Sequence, residues 1–378
     1  MNRRLFLMGV AGAAGCSRAV PRLNVYNWSD YVAPDTIANF EREFGVRVRY
    51  GTYESVQEML AKVMSGNSGW DVVFPSADFV QPMREMGLLQ PLRHERLPNL
   101  EALDPAFRKP PWDPELEWSV PYMYGATGIA YQKSLSPPPR AWADLWEPRL
   151  RGKITMLDDS PEVLGACLKK LGYSVNSGDP VKLSLAQKEA IAQKPLLRAY
   201  LNAEVRDQLV AGDVAAAQAW AVTAGQAIAA ASDKLAFVLP AEGFARFADT
   251  MAILRESRRS ELAHLFLNYL LRPAVAAAIV QATRTATANG AAQKLLPAAV
   301  RENPVLYPPP EVLARGEWFE SFSSASQRLR DRLWTEIKSA LMRGATNCII
   351  CKWSKCAVRY RPHRQSSRPD THRKSCNC

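Results

Sequence analysis

The sequence predicts an α/β protein whose mostly parallel sheet is covered by helices on both faces, and three observations predict it. Strand-like and helix-like stretches alternate from Leu23 onward, a second alternating unit begins at Lys153, and 47% of the 378 residues are hydrophobic. Alternation at this spacing is the pattern of strand–helix–strand units, and that much apolar surface supports one large domain or two lobes and excludes disorder for most of the chain.

From Leu23 the order is strand (LNVYNW), helix (APDTIANFEREFG) and strand (VRVRYGTY). Pro34 suits a helix start, where a missing N–H costs nothing, and Gly45 suits a helix stop. A helical stretch, SVQEMLAKVMSG, and a short apolar strand, DVVFPS, follow. Ligands of such sheets sit at the carboxyl ends of strands, and Trp28 and Ser76 both fall at such ends. The segment from Leu97 to Trp118 is rich in proline and acids and reads as a surface excursion. VPYMYGATGIAYQ then reads as a strand rich in small residues, suited to cross between two lobes. KITMLDDSPEVLGACLKKLGY is again strand, turn and helix. The alanine-rich run from Val210 to Ser232 reads as helix broken around VTAG. KLAFVLPAEG and FADTMAIL read as strands, with Phe247, Ala248 and Asp249 just ahead of the apolar TMAIL, and SELAHLFLNYLL as an amphipathic helix stopped by Pro273. There is no internal repeat.

The formal charge of +11 sits at the ends of the chain. Residues 341–378 hold nine Lys/Arg against one acid, Asp370, and Arg3 and Arg4 add two, which leaves +1 for residues 5–340. Total charge alone would suggest a nucleic-acid binder whose salt-dependent binding vanishes on removing 341–378; the near-neutral body offers no such partner. Residues 1–21 have the layout of an export signal: a positive pair, a short apolar run and small residues before a cysteine. The run is too short to span a membrane. Arg3-Arg4 resembles a twin-arginine signal and Ala14-Gly15-Cys16 a lipobox, with Ala13 where a larger aliphatic residue is usual, so Cys16 is the expected lipidation site of a periplasmic protein. The other reading is an ordinary signal peptide cut nearby, which leaves a soluble periplasmic protein. Cys16 and Cys167 alone precede residue 341, so the body is no disulfide scaffold. In the tail Cys348, Cys351, Cys356, His363, Cys376 and Cys378 are too irregularly spaced for a structural zinc site. The tail reads as disordered, or as the product of a shifted reading frame.

Catalytic signatures are missing: no P-loop, no G-x-S-x-G, no H-E-x-x-H, and only His94 and His264 in the body, both read as surface or packing residues. An enzyme is therefore disfavoured. What remains is a set of rings and acids at predicted loop positions: Trp28, Asp30 and Tyr31; Ser76 and Asp78; Asp158, Asp159 and Glu162; Trp220; Phe247 and Asp249. Each alone has a plainer reading. Asp159 or Ser160 can be a helix N-cap ahead of Pro161, Glu162 a favourable charge in a first helical turn, Trp28 and Trp220 core rings, and Asp30 a turn residue. Together they suit an organic cation with an apolar stem. Ring faces attract ammonium groups by roughly 0.5–2 kcal/mol each and pack methylenes, while carboxylates add charge-assisted hydrogen bonds of about 1.5–3 kcal/mol.

At these residues the chain resembles the periplasmic spermidine/putrescine-binding proteins of ABC transporters (bacterial extracellular solute-binding family 1) from Leu23 to Lys338. The blocks that carry the resemblance are YNWSDYV, TYES, DVVFPS, LDPAF, VPYMYGATGIAY, WADLWEP, DDSPEV, LKKLGYS, NYLLRP and GEW. The resemblance implies a type II periplasmic-binding-protein fold: two α/β lobes, crossing strands as a hinge, and a polyamine in the cleft. It places lobe 1 at 22–127 plus 249–290 and lobe 2 at 128–248 plus 291–340. Trp28 and Tyr31 then look like cleft aromatics, with Ser29 between them and Ser76 as a polar contact. Asp159 and Glu162 look like the acids for one amine end, Trp220 like the ring under the chain, and Asp249 like the acid for a central or distal amine. Phe247 stands where spermidine binders commonly have tryptophan. Asp78 replaces a tyrosine, Thr285 a cleft tyrosine and Phe319 a glutamine, which leaves the identity of the polyamine open. The implied function is a non-enzymatic monomeric receptor, without cofactor or metal, that delivers putrescine- or spermidine-like cations to an inner-membrane permease. The alternatives are a receptor for another organic cation or amino-acid-like solute, and an enzyme on the same scaffold.

Overall fold

The computed structural model describes residues 20–340. The expectations placed on Cys16, on the export signal before Val20 and on the tail from Leu341 lie outside the described residues.

The first unit runs β1 (Arg22–Trp28), α1 (Thr36–Phe44), β2 (Arg47–Tyr53), α2 (Val56–Val63), β3 (Val72–Val73) and α3 (Val80–Glu85). Helix α1 begins just after Asp35, and Gly45 closes it at φ 63° with its N–H on the Glu41 carbonyl, the left-handed cap that glycine adopts without strain. Ser55 caps α2 by accepting the Glu58 N–H. After β4 (Val120–Gln132) the second unit runs β5 (Ile154–Met156), α4 (Ser160–Lys170), α5 (Pro180–Gln193), β6 (Leu197–Tyr200), α6 (Val205–Ala211), β7 (Ala216–Trp220), α7 (Ala221–Ala230) and β8 (Leu235–Val238). Then come β9 (Phe244–Ile253), α8 (Ser260–Leu270), α9 (Pro273–Thr283) and β10 (Ala286–Thr287). Three one-turn helices, α10 (Gly290–Gln293), α11 (Ala298–Arg301) and α12 (Pro310–Leu313), lead to β11 (Gly316–Trp318) and α13 (Ser324–Ser339).

The main strand order is β2-β1-β3-β9-β4-β7-β5-β6. Strand β1 is parallel to β2 and β3, and β5 is parallel to β6 and β7. The long strands β4 and β9 are antiparallel to each other, β9 is antiparallel to β3 and β4 to β7, while the short β11 runs parallel to the start of β9. Residues Val120–Ala126 of β4 pair with β9, whereas Thr127–Gln132 pair with β7 and β8. One strand thus leaves the first parallel set and enters the second, as the small residues of VPYMYGATGIAYQ suggest. Apolar cores form around both sets, one including Leu23, Phe40, Ile253 and Phe266, the other Ile129, Trp142, Leu164 and Leu183.

Three expectations need correction. The alanine-rich run is not a broken helix: Ala216–Trp220 is strand β7, and VTAG lies inside α7. Ala216, Ala217 and Ala219 are fully buried between β4 and β5, so tertiary packing overrides the helix preference of alanine. The segment from Leu97 to Trp118 is more than a surface excursion, because Leu97, Leu103, Phe107 and Leu116 are buried in the first core. Phe247 and Asp249 do not stand at a loop position ahead of TMAIL; β9 begins at Phe244 and they lie within it, as part of the FADTMAIL strand. The two histidines do take packing roles: buried His264 accepts the Arg93 N–H at 2.9 Å and has Nδ1 2.7 Å from the Ser260 carbonyl, while His94 bonds the Leu116 carbonyl.

Candidate functional site

Residues alternate across a strand, so Phe247 and Asp249 share one face of β9. Their partners on β4 are Gly125 and Met123, which puts Thr127 on that face as well. A Cβ at Gly125 would stand 2.5 Å from the Phe247 ring, so the ring can lie flat on the strand only because residue 125 has no side chain. This face of the crossing strands is the floor of the site.

Asp249 is 3% exposed. Tyr31 Oη donates to its Oδ2 at 2.8 Å, and Ser76 Oγ donates to its Oδ1 at 3.0 Å. Burial pushes its pKa up to about 6, and the two hydroxyl donors hold it from rising further. Tyr31 is raised well above its ordinary value by burial and by the Asp249 charge, and stays a phenol. Its backbone carbonyl accepts from Tyr122 Oη at 2.7 Å. The turn before it is set by Asp30, which is exposed and adopts φ 55°; Asp30 shapes the turn that aims the rings. Trp28 Nε1 and Tyr53 Oη both donate to the Phe74 carbonyl, at 2.9 and 2.6 Å. This fixes the Trp28 ring 4.7 Å from Tyr53 and 6.3 Å from Tyr31. Ser29 is not brought to this wall, because its hydroxyl bonds Glu54 at the surface.

The second group forms at the start of α4. Asp159 caps the helix, its Oδ1 accepting the Glu162 N–H at 3.0 Å. Glu162, 4% exposed, accepts Thr127 Oγ1 at 2.7 Å and Trp220 Nε1 at 2.9 Å on one oxygen. Its other oxygen is buried with no hydrogen-bond partner among the described residues. Burial, then the charge of Asp159, pushes Glu162 far up, and burial likewise raises Asp159. The cap reading and the cation reading of this motif both hold, because Asp159 caps α4 and still stands beside Glu162.

Asp78 lies on the single turn Ala77–Phe79, two residues beyond Ser76. Burial and the charges of Asp159 and Asp249 push it up to about 7. None of Asp78, Asp159, Glu162 and Asp249 forms a salt bridge among the described residues. Asp249 and Glu162 are buried and Asp78 and Asp159 half-buried, and carboxyls so placed, without a cationic partner among the described residues, are costly to ionise unless a cation arrives. Thr285 is 2% exposed with a hydroxyl that has no partner among the described residues, and Phe319 follows β11 with its ring over Gly165 of α4. Thr127, Gly125 and Tyr122 went unseen in the sequence. Thr127 meets Glu162 only through a contact 35 residues away in the chain, and no local signal announces it. A groove of about 450 Å³ lined by Gln132, Leu135, Arg149 and Lys153 lies elsewhere; its Arg149 is already bonded to the carbonyls of Ser136 and Pro137.

Two parallel sets of strands joined by long crossing strands, with acids and rings gathered at the junction, define a two-lobed solute-binding architecture. The chain belongs to the bacterial extracellular solute-binding protein family, whose profile matches residues 35–307. It is 35% identical over 309 residues to the spermidine/putrescine-binding periplasmic protein of Salmonella typhimurium, covering 80% of this chain and 88% of that one. It is likewise 35% identical over 337 residues to the putrescine-binding periplasmic protein PotF of Escherichia coli, covering 84% and 91%. Among solved structures, the TpPotD lipoprotein of Treponema pallidum superposes with a TM-score of 0.74 at 29% identity, covering 84% of this chain and 99% of that one.

Proposed function

We propose that this protein is a polyamine receptor that closes on a putrescine- or spermidine-like cation and delivers it to an ABC permease. The observation that carries the reading is the set of four carboxyls, Asp78, Asp159, Glu162 and Asp249, raised by burial and without a cationic partner among the described residues. Glu162 adds a buried oxygen that receives no donor among the described residues. Ammonium groups supply both the charge and the N–H donors this set lacks. Trp28, Tyr31, Trp220 and Phe247 supply ring faces for the methylenes between them, and Ser76 orients Asp249 rather than the ligand. The polyamines for which the Salmonella and Escherichia relatives are named support the same ligand class.

The receptor works as a non-enzymatic monomer in the periplasm, held at the membrane through lipidated Cys16, a reading that the Treponema lipoprotein supports. Its lobes comprise 22–127 with 249–290 and 128–248 with the rest to 340. Ala292, Leu296, Val300 and Leu306 pack in one cluster with Ala276 and Val280, which favours moving the last boundary to about 308. Isothermal titration with putrescine, spermidine, agmatine, lysine and arginine tests the ligand class: saturable binding of a polyamine is expected, and binding of none overturns the proposal.

A further inference from the structure

We propose that Gln218 is a positioning residue for the Glu162 end of the cleft, and that by fixing this end it makes the receptor select diamines by length. The inference rests on the polyamine reading and adds to it a residue that touches no ligand.

Strand β7 is a run of alanines ending in Trp220, interrupted by Gln218, which is 1% exposed. A primary amide is costly to bury unless its acceptor and its donors are both met, and here both are. Gln218 Oε1 accepts the Leu157 N–H at 3.3 Å, and Gln218 Nε2 donates to the Glu162 carbonyl at 2.9 Å. One side chain therefore closes the turn between β5 and α4, the turn that carries Asp159, from both of its ends. Gln218 and Trp220 lie two residues apart and share a face of β7, and Thr127 is the partner of Trp220 on β4. All three reach Glu162: Gln218 at its backbone, Thr127 and Trp220 at one carboxyl oxygen. Main chain and carboxyl are held separately, so the first turn of α4 resists being drawn toward a ligand.

The other end is tied to the same crossing strand. Asp249 is the partner of Met123 on β4, and its carboxyl is held by Tyr31 and Ser76. From Met123 to Thr127 the strand advances about 13 Å, and this sets the anchor points of the two acids. Two carboxyls on fixed anchors act as a gauge. A diamine whose ammonium groups match the spacing reaches both, whereas one methylene more or fewer leaves a charge-assisted hydrogen bond stretched or unmade at one end. Without Gln218 the first turn of α4 is free to shift and accept the wrong length.

Titration of 1,3-diaminopropane, putrescine and cadaverine into wild type and Gln218→Met, which keeps the volume and removes both bonds, is the experiment. Wild type is expected to bind one of the three at least about tenfold more tightly than the other two; Gln218→Met is expected to weaken that ligand about fivefold to tenfold and to bring all three within about threefold of one another. A merely structural role would lower the melting temperature and leave these ratios alone. Amide hydrogen exchange of residues 157–163 in unligated wild type is expected to be as slow as in the rest of α4, a measurement that stands even if Gln218→Met fails to fold. A wild type that does not discriminate among the three, whether by binding them alike or by binding only spermidine, overturns the role of Gln218 and leaves the polyamine reading standing. So does a variant that keeps the wild-type ratios, or a 157–163 segment that exchanges fast until ligand is added. A wild type that binds neither these diamines nor spermidine overturns both.

Discussion

The two ends of the cleft hold their acids in opposite ways. At one end both oxygens of Asp249 are met by hydroxyls, from Tyr31 and Ser76, which come from elements far apart in the chain. At the other, Glu162 crowds two donors onto one oxygen, leaves the second bare, and shares its pocket with Asp159. The first end is organised before any ligand arrives. The second is strained electrostatically until one does, and part of any attraction there is consumed in removing a proton.

That difference orders the expected losses. Asp249→Ala is expected to cost the most, about 2–5 kcal/mol of polyamine affinity, because an ammonium loses its partner and two hydroxyls are left unpaired; titration calorimetry reads it. Glu162→Gln is expected to cost less, about 2 kcal/mol, while the melting temperature of the unligated protein at pH 8 stays level or rises, since a buried charge is removed. Equal losses at the two ends would erase the distinction between them. Next comes pH. Carboxyls raised in the folded state bind more protons than in the unfolded chain, so the stability they contribute is full below about pH 4 and is lost as pH rises through the folded values, about 6 for Asp249 and about 7 for Asp78. Affinity for a polycation runs the other way, rising over the same window as the acids ionise. Thermal melts and titrations from pH 5 to 8, with and without ligand, check both slopes. Trp220→Phe keeps a ring and removes the donor to Glu162, and is expected to weaken binding fivefold to tenfold, about 1–1.4 kcal/mol. The smallest effect is expected from Gly125→Ala, about 1 kcal/mol in stability or affinity, as the new methyl lifts the Phe247 ring.

Most strands and helices, and the parallel sheet with its crossing strand, were legible because each is announced locally, by alternation, by Gly45 at a helix end, or by Asp159-Ser160-Pro161 at a helix start. Trp28, Tyr31, Asp159, Glu162 and Asp249 were legible as a recurring pairing of rings with acids. Other features depend on long-range packing. Strand β7 reads as helix until β4 and β5 close around its alanines. Ser29 looks like a wall residue until Glu54 is seen to take its hydroxyl. Asp249 looks like a loop acid until β9 is seen to begin at Phe244. Thr127 has no local signal, since its role exists only once β4 lies beside the start of α4.

The placement of Phe247, Asp249 and Thr127 on β9 and β4 has a mechanical meaning. These are the strands that pass from one half of the molecule into the other. Points near a pivot barely translate when the bodies around it turn, so any rotation of the two halves about these strands leaves the floor of the cleft in place while the Trp28 wall and the start of α4 swing. The floor is the fulcrum, and a cation resting on it already touches the part of the protein that need not travel for the jaws to meet.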